Sequence, residues 1–298
     1  MPEPEPGGVV LRVLSAGVCH TDLHMIDGAV SGLKLPLVLG HEIAGEAPGI
    51  GPVLVFASWG CGQCASCRQG EEQLCPDAAE PGWVHDGGYA EFVAVPSSRY
   101  LLPLRGLDPV RAAPLADAGV TPYRAVRRAM PWLKYGGSAL VIGAGGLGQF
   151  AIQYLRLMGA DVVLVVDPSA AKRRRACELG ADDALPPERE PRDCAAVFDF
   201  VGTDETLALA FRAVRRGGLI MLVGEAGGRV PFGFGAVDHE VALTTSIWGS
   251  QADLEAVLDL ASSGRLQWAV EEFPLEDVND ALNRLRRGDI AGRAVLRP

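Results

Sequence analysis

Four of the seven cysteines in this 298-residue chain fall in one short stretch, Cys61-x2-Cys64-x2-Cys67-x7-Cys75. Short spacers of this kind suit a tetrahedral four-thiolate zinc site, in which each sulfur lies about 2.3 Å from the ion and no position stays open. Such a closed site staples a lobe of the fold and performs no chemistry. Two disulfides are the alternative. The start, Met1-Pro2-Glu3-Pro4-Glu5-Pro6, is acidic and Pro-rich, the reverse of a secretory leader, and thiols stay reduced in a cytosol. A structural zinc and a cytoplasmic location are therefore expected.

The composition narrows the partners. A formal net charge of −10 argues against a nucleic-acid surface or an anionic membrane. Residues 136–155 carry no charge, which could suggest a membrane span. Six glycines lie in that run, however, and make a buried strand–turn–helix the better reading. At this length, with 48% hydrophobic residues, two domains with full cores are expected.

The texture changes near residue 115. Before it lie short β-like runs, Val9–Val13, Val53–Phe56 and Tyr89–Val95, separated by Gly, Pro and Cys clusters. After it strands and helices alternate. The expected strands are Ala139–Ile142, Val162–Val166, Ala195–Phe200 and Leu219–Val223; the expected helices are Gln149–Leu157, Ala170–Leu179, Thr206–Val214 and Ala252–Ala261. That rhythm implies right-handed crossovers and a parallel sheet covered on both faces. A helix over Leu275–Arg287 and a strand over Ala294–Leu296 close the chain.

Gly143-Ala144-Gly145-Gly146-Leu147-Gly148 matches G-x-G-x-x-G. The pattern is weak alone, but here an apolar strand enters it and a helix leaves it. The first glycine then permits a tight turn, the second lets a pyrophosphate approach the backbone, and the third allows close helix–strand packing. Asp167 closes the next strand, where a carboxylate accepts ribose hydroxyls and repels a 2′-phosphate, so NAD is expected rather than NADP. Arg173, Arg174 and Arg175 could form a 2′-phosphate clamp; the alternative is a solvated helix face.

Two further segments, Gly17-Val18-Cys19-His20-Thr21-Asp22-Leu23-His24 and Gly40-His41-Glu42, complete a pattern with the cysteine cluster, Gly87-Gly88-Tyr89-Ala90-Glu91-Phe92 and Gly292-Arg293-Ala294-Val295-Leu296. Together they resemble the zinc-dependent medium-chain alcohol dehydrogenases over nearly the whole chain. The resemblance implies an α/β fold: a Rossmann doubly wound parallel sheet over 117–262, and a GroES-like, mainly β catalytic domain over 1–116 and 263–298 with its zinc lobe at 61–75. It also implies hydride transfer between a primary or secondary alcohol and NAD, with two zinc ions per chain and a homodimer or homotetramer.

By motif position Cys19 and His41 are similar to catalytic zinc ligands, and Asp117 stands where most of the family has cysteine. Some bacterial secondary-alcohol dehydrogenases of the family share this aspartate. Carboxylate is a permitted zinc ligand with the same charge as thiolate; a helix cap is the other reading of Asp117. The resemblance makes Thr21 and His24 a proton relay, Asp22 the orienter of His41, and Glu42 a carboxylate behind the zinc. It brings His20 and Arg293 to the pyrophosphate and Lys172 to the adenine-side ribose. It places Ser246 and Trp248 at the nicotinamide edge and counts Val223 among the cofactor contacts, with Gly143, Gly145, Gly146, Leu147 and Gly148.

The chain departs from the family in two places. A β-hairpin is missing before Val9, and only Ala47-Pro48-Gly49-Ile50-Gly51-Pro52 spans the passage between Glu46 and Val53. Unpaired edges are expected in this shortened lobe. The second function class is accordingly a non-catalytic zinc- and nucleotide-binding remnant. A zinc-free quinone reductase is a third, for which Cys19, His41 and the cysteine cluster would have no use.

Overall fold

The computed structural model describes residues 1–298 and divides into two compact units, Met1–Val120 with Gly249–Pro298, and Thr121–Trp248. No helix is long and apolar enough to cross a membrane.

The first unit contains β1 (Val9–Val18), α1 (His20–Ile26), β2 (Glu42–Ala47), β3 (Gly51–Val55), α2 (Ala65–Arg68), β4 (Phe92–Val95), β5 (Leu101–Pro103) and α3 (Pro109–Ala112). The second follows with α4 (Val120–Leu133), β6 (Ser138–Ile142), α5 (Gly148–Leu157), β7 (Val162–Val166), α6 (Ala170–Glu178), β8 (Asp183–Leu185), β9 (Cys194–Asp199), α7 (Asp204–Ala213), β10 (Val214–Leu222) and β11 (Ala242–Thr245). The chain then returns to the first unit with α8 (Gln251–Ser262), β12 (Val270–Pro274), α9 (Val278–Arg287) and β13 (Arg293–Arg297).

The first unit is built on one seven-stranded sheet, ordered β12-β13-β1-β2-β3-β5, with β4 also paired to β1. β1 is the organising strand. It pairs with β4 over Val9–Arg12, with β2 over Arg12–Gly17 and with β13 over Ala16–Val18. The short link from β2 to β3 is a tight hairpin: Ala47 pairs with Gly51, the Ile50 N–H donates to the Ala47 carbonyl (3.1 Å), and Gly49 takes φ +74°. The open edge expected at this shortening is not formed, because β3 goes on to pair with β5. Beside this hairpin lies a hollow of about 630 Å³, lined by Met1, Val10, Arg12, Ile50 and Phe92 among others, with Ile50 exposed.

α8, read from sequence as part of the second domain, falls in the first unit. Its side chains say why: Gln251 donates to the Arg99 carbonyl (3.1 Å) and Asp259 pairs with Arg105.

The second unit is a six-stranded parallel sheet, ordered β11-β10-β9-β6-β7-β8. Its strands bury Leu140, Ile142, Val166, Val197 and Ile220 in a core that includes Leu209 and Ala213 of α7. The parallel register aligns Ile142, Val166, Asp199, Leu222 and Thr245 in one row across the sheet. The residues that follow in β6, β7, β10 and β11 are Gly143, Asp167, Val223 and Ser246, so these nucleotide candidates share one carboxyl edge. β6 lies where the chain order reverses, the switch point at which such sheets bind ligands.

Candidate functional site

Antiparallel pairing assembles the first cluster. In β1, Gly17 faces Glu42 of β2 on one side and Val295 of β13 on the other. Cys19 therefore leaves the end of β1 beside His41 at the start of β2 and Arg293 at the start of β13. Leu23 anchors α1 in a core with Phe273, Leu282 and Leu285, while Asp22 is turned fully inward. The buried 3-10 turn Ala113–Ala116 delivers Asp117 to the same place.

Cys19 Sγ lies 3.3 Å from Asp117 Oδ2, and His41 Nε2 lies 3.8 Å from that same oxygen. One atom from each of Cys19, His41 and Asp117 falls within 4.8 Å of the others, and all three residues are buried. On its far side the imidazole presents Nδ1 to Asp22 Oδ1 at 3.6 Å. Asp22 Oδ2 accepts from the Cys19 N–H at 2.8 Å. Glu42 Oε1 accepts from the Ala118 N–H (3.1 Å) and pairs with Arg293, whose guanidinium also lies 3.5 Å from Asp117. A Cβ on Gly17 would stand 1.8 Å from Glu42 Oε2, so only glycine lets this carboxylate fold over β1.

The charge balance suits a cation. Asp22, Glu42 and Asp117 are buried around one fixed positive group, Arg293. Burial opposes a charge on His41, yet Asp22, Asp117 and Cys19 outweigh it and hold the imidazole well above its usual value. Burial also pushes Glu42 up to about 7, against the pull of Arg293. A soft thiolate, an imidazole and one carboxylate form a three-ligand set of the kind that binds zinc with a position left over.

Thr21 and His24 sit three residues apart on α1, hence on one face, and both are half-buried. Thr21 Oγ1 is 3.6 Å from Cys19 Sγ. His20 is exposed. The guanidinium of Arg293, the residue expected at a pyrophosphate, faces Glu42 and Asp117.

The four clustered cysteines form the second set, again with donor atoms within 4.8 Å of one another and none in a disulfide. Cys61 and Cys67 sulfurs are 4.0 Å apart, near the roughly 3.8 Å edge of a tetrahedron around one zinc. Backbone N–H groups already point at the sulfurs: Cys64 to Cys61, Cys67 to Cys64 and Cys61 to Cys75, each at 3.4 Å. Those from Gln63 and Cys64 hold the Cys61 thiol down at about 7. Arg99 ties the lobe to the sheet through the Gly60 carbonyl (2.9 Å) and Glu72 (3.2 Å). Cys61→Ala is expected to lower metal content by one equivalent. Binding by such knuckles reaches on the order of 10 kcal/mol, comparable to a domain's whole stability. Residues 60–76 should therefore become protease-sensitive, which limited proteolysis checks.

In the second unit the glycine loop has the form its sequence implies. Gly143 takes φ +88°, and a Cβ on Gly148 would meet the Gly143 carbonyl oxygen at 2.0 Å. A Cβ on Gly145 would meet nothing within 4 Å, so its face is open for a phosphate. Gly146 and Leu147 lead into α5. Asp167 is buried, accepting from the Ala144 N–H (2.9 Å) and the Ser169 N–H (2.8 Å). Lys172 is half-buried on α6. Of the three arginines, Arg173 donates to the Asp167 and Pro168 carbonyls (both 2.8 Å) and Arg175 pairs with Glu178 (2.9 Å). Ser246 Oγ is buried without a hydrogen bond, and Trp248 adopts φ +47° two residues on.

Two residues near the first cluster had no role in the sequence reading. Tyr89 donates to Asp22 Oδ2 at 2.6 Å; its Gly-Gly-Tyr motif was the available signal. Half-buried Glu80 has its carboxyl raised by burial, opposed by the charge of His41; nothing in its local sequence marks it.

Residues 5–106 match the family model of the alcohol dehydrogenase GroES-like domain, and residues 146–263 that of the zinc-binding dehydrogenases. A D-arabinose 1-dehydrogenase (NADP(+)) of Saccharolobus solfataricus is 37% identical over 322 residues, covering 100% of this chain and 92% of that protein. An NAD-dependent alcohol dehydrogenase of Sulfolobus acidocaldarius is 36% identical over 325 residues, covering 100% and 94%. The solved alcohol dehydrogenase of Aeropyrum pernix superposes with a TM-score of 0.91 at 34% identity, over 100% of this chain and 94% of its own.

Proposed function

The chain belongs to the zinc-dependent medium-chain alcohol dehydrogenases, and from that premise we propose that it transfers hydride between a primary or secondary alcohol and NAD, with one zinc ion in each of its two ligand clusters. Alcohol–carbonyl oxidoreduction is its activity, and the family relationship favours this over a non-catalytic remnant. The observation that supports the catalytic reading most is the convergence of Cys19, His41 and Asp117.

Zinc, when bound there, is a Lewis acid that lowers the pKa of an alcohol oxygen, and NAD accepts the hydride. Cys19, His41 and Asp117 are the ligands in this reading. The Thr21 hydroxyl takes the alcohol proton at Oγ1, and His24, one turn along α1 and half-exposed, passes it toward solvent. Asp22 holds the His41 ring through Nδ1. Glu42 and Arg293 form a charged floor behind the ligands. In the second unit Gly145 admits the pyrophosphate, Asp167 the ribose hydroxyls, and Val223 and Ser246 complete the cofactor contacts. His20 and Lys172 complete the nucleotide contacts. Cys61, Cys64, Cys67 and Cys75 hold the structural ion. The substrates proposed are small or medium alcohols of apolar character, in a cytoplasmic homodimer or homotetramer.

One observation favours an NADP reading: Arg173 sits against the carbonyl of Asp167, within the segment a 2′-phosphate would approach. Reduction of NAD and NADP by an alcohol panel, with metal analysis of the same preparation, tests the proposal. Close to two metal equivalents and a clear preference for NAD are expected; equal use of NADP would overturn the cofactor assignment. Asp167→Gly should weaken NAD by roughly tenfold to a hundredfold, since hydrogen bonds to a charged group contribute about 1.5–3 kcal/mol. The same change removes the like charge, so discrimination against NADP should relax.

A further inference from the structure

We propose that Tyr89 is a positioning residue for the Cys19–His41–Asp117 cluster: its hydroxyl fixes Asp22 so that one carboxylate oxygen is left for His41. This rests on the reading of that cluster as a metal site.

The route begins with backbone. The N–H groups of Gly87, Gly88 and Tyr89 donate to the carbonyls of Val38, Gly40 and Leu39 at 2.8, 2.8 and 2.9 Å, so residues 87–89 lie along the strip that ends in His41. Two glycines permit that approach. A Cβ on Gly87 would meet the Gly40 oxygen at 2.2 Å, and one on Gly40 would meet Tyr89 Cδ1 at 2.5 Å. The ring therefore occupies the space a side chain at position 40 would take, next to His41.

From there Tyr89 Oη reaches Asp22 Oδ2 at 2.6 Å; the Gly17 carbonyl, at 3.3 Å, is the weaker acceptor for the same proton. The Cys19 N–H occupies the same carboxylate oxygen at 2.8 Å. Two donors on Oδ2 fix the rotation of the carboxylate, and Oδ1, without a hydrogen bond, faces His41 Nδ1 at 3.6 Å. When a metal takes Nε2, a carboxylate held this way keeps the remaining ring proton on Nδ1. Burial and the charge of Asp22 hold the Tyr89 phenol well above its usual value, so it stays a donor.

Tyr89→Phe keeps the ring and removes only the hydroxyl. Outer partners of metal-bound histidines typically change metal affinity by about 10–100-fold. The variant, in the full-length metal-loaded protein, should lose metal from the Cys19 set with a dissociation constant raised by that factor, and the four-cysteine ion should be unaffected. Cobalt exchanged into the Cys19 site should show a shifted visible absorption band. In an Asp22→Asn background the same substitution should change affinity less than about twofold, because Tyr89 acts through Asp22. Unchanged affinity and cobalt spectrum, or an equal loss in both backgrounds, would overturn the inference alone. A purely structural role would lower the melting temperature of the metal-free protein and leave the spectrum in place, also overturning it. Wild type that loses no metal on Cys19→Ala would overturn the metal reading and this inference with it.

Discussion

Asp117→Ala is expected to lose the metal held with Cys19 and His41 and roughly three powers of ten in kcat/KM, whereas Asp117→Cys should keep the metal and a measurable part of the activity. The charge stabilisation a catalytic ion supplies is several kcal/mol, and each 1.36 kcal/mol is a factor of about ten. Asp117 Oδ2 is the atom on which the cluster converges, 3.3 Å from the Cys19 sulfur and 3.8 Å from His41 Nε2. Alanine leaves two ligands, too few for an open three-ligand zinc site. Cysteine restores one negative donor, and its longer metal bond, about 2.3 Å against about 2.0–2.2 Å for carboxylate, offsets part of the shorter side chain. If Asp117 served only as a helix cap, alanine would cost about 1 kcal/mol of stability and leave metal content intact. Metal analysis of the two variants beside steady-state kinetics separates the readings.

The parts of this protein legible in its sequence are those whose partners lie close together along the chain. Cys61, Cys64, Cys67 and Cys75 close a ligand set over a few turns, and the glycine loop between β6 and α5 carries its own conformational demands at Gly143 and Gly148. Elements set by pairing were harder to read. β8 and β11 are three- and four-residue strands that exist because neighbours in the parallel sheet offer them an edge. The expected strand Val9–Val13 extends to Val18 because β2 and β13 flank its second half. The shortened link after Glu46 suggested lost pairing; local turn geometry at Gly49 and Gly51 closes it as a hairpin, which a count of missing residues could not reveal. The placement of Arg293 beside Glu42 joins residues 251 positions apart through the register of β1 with both neighbours. Composition and periodicity carry no trace of that contact.

That long-range pair carries the second large effect. Arg293 and Glu42 are almost wholly buried, with side-chain exposures of 3% and 0%. Removing one partner of a buried ion pair costs about 3–5 kcal/mol, because the other charge is left without compensation in a medium that solvates it poorly. Arg293→Ala should therefore destabilise the metal-free protein by up to about that amount, measured by urea unfolding above pH 7, where Glu42 keeps its charge. Asp117, 3.5 Å from the same guanidinium, adds to the penalty. Bound metal supplies positive charge to the same carboxylates, so the loss should be smaller in the loaded protein. In the double variant Arg293→Ala, Glu42→Gln, part of the stability should return, since the Glu42 charge is gone and only that of Asp117 is left without its partner. An arginine that served only a pyrophosphate would give another pattern: stability unchanged in both metal states, a higher KM for NAD, and no benefit from Glu42→Gln. The guanidinium points at Glu42 and Asp117, so the first pattern is expected, and it would make Arg293 a counter-charge that holds the acidic cluster together before metal arrives.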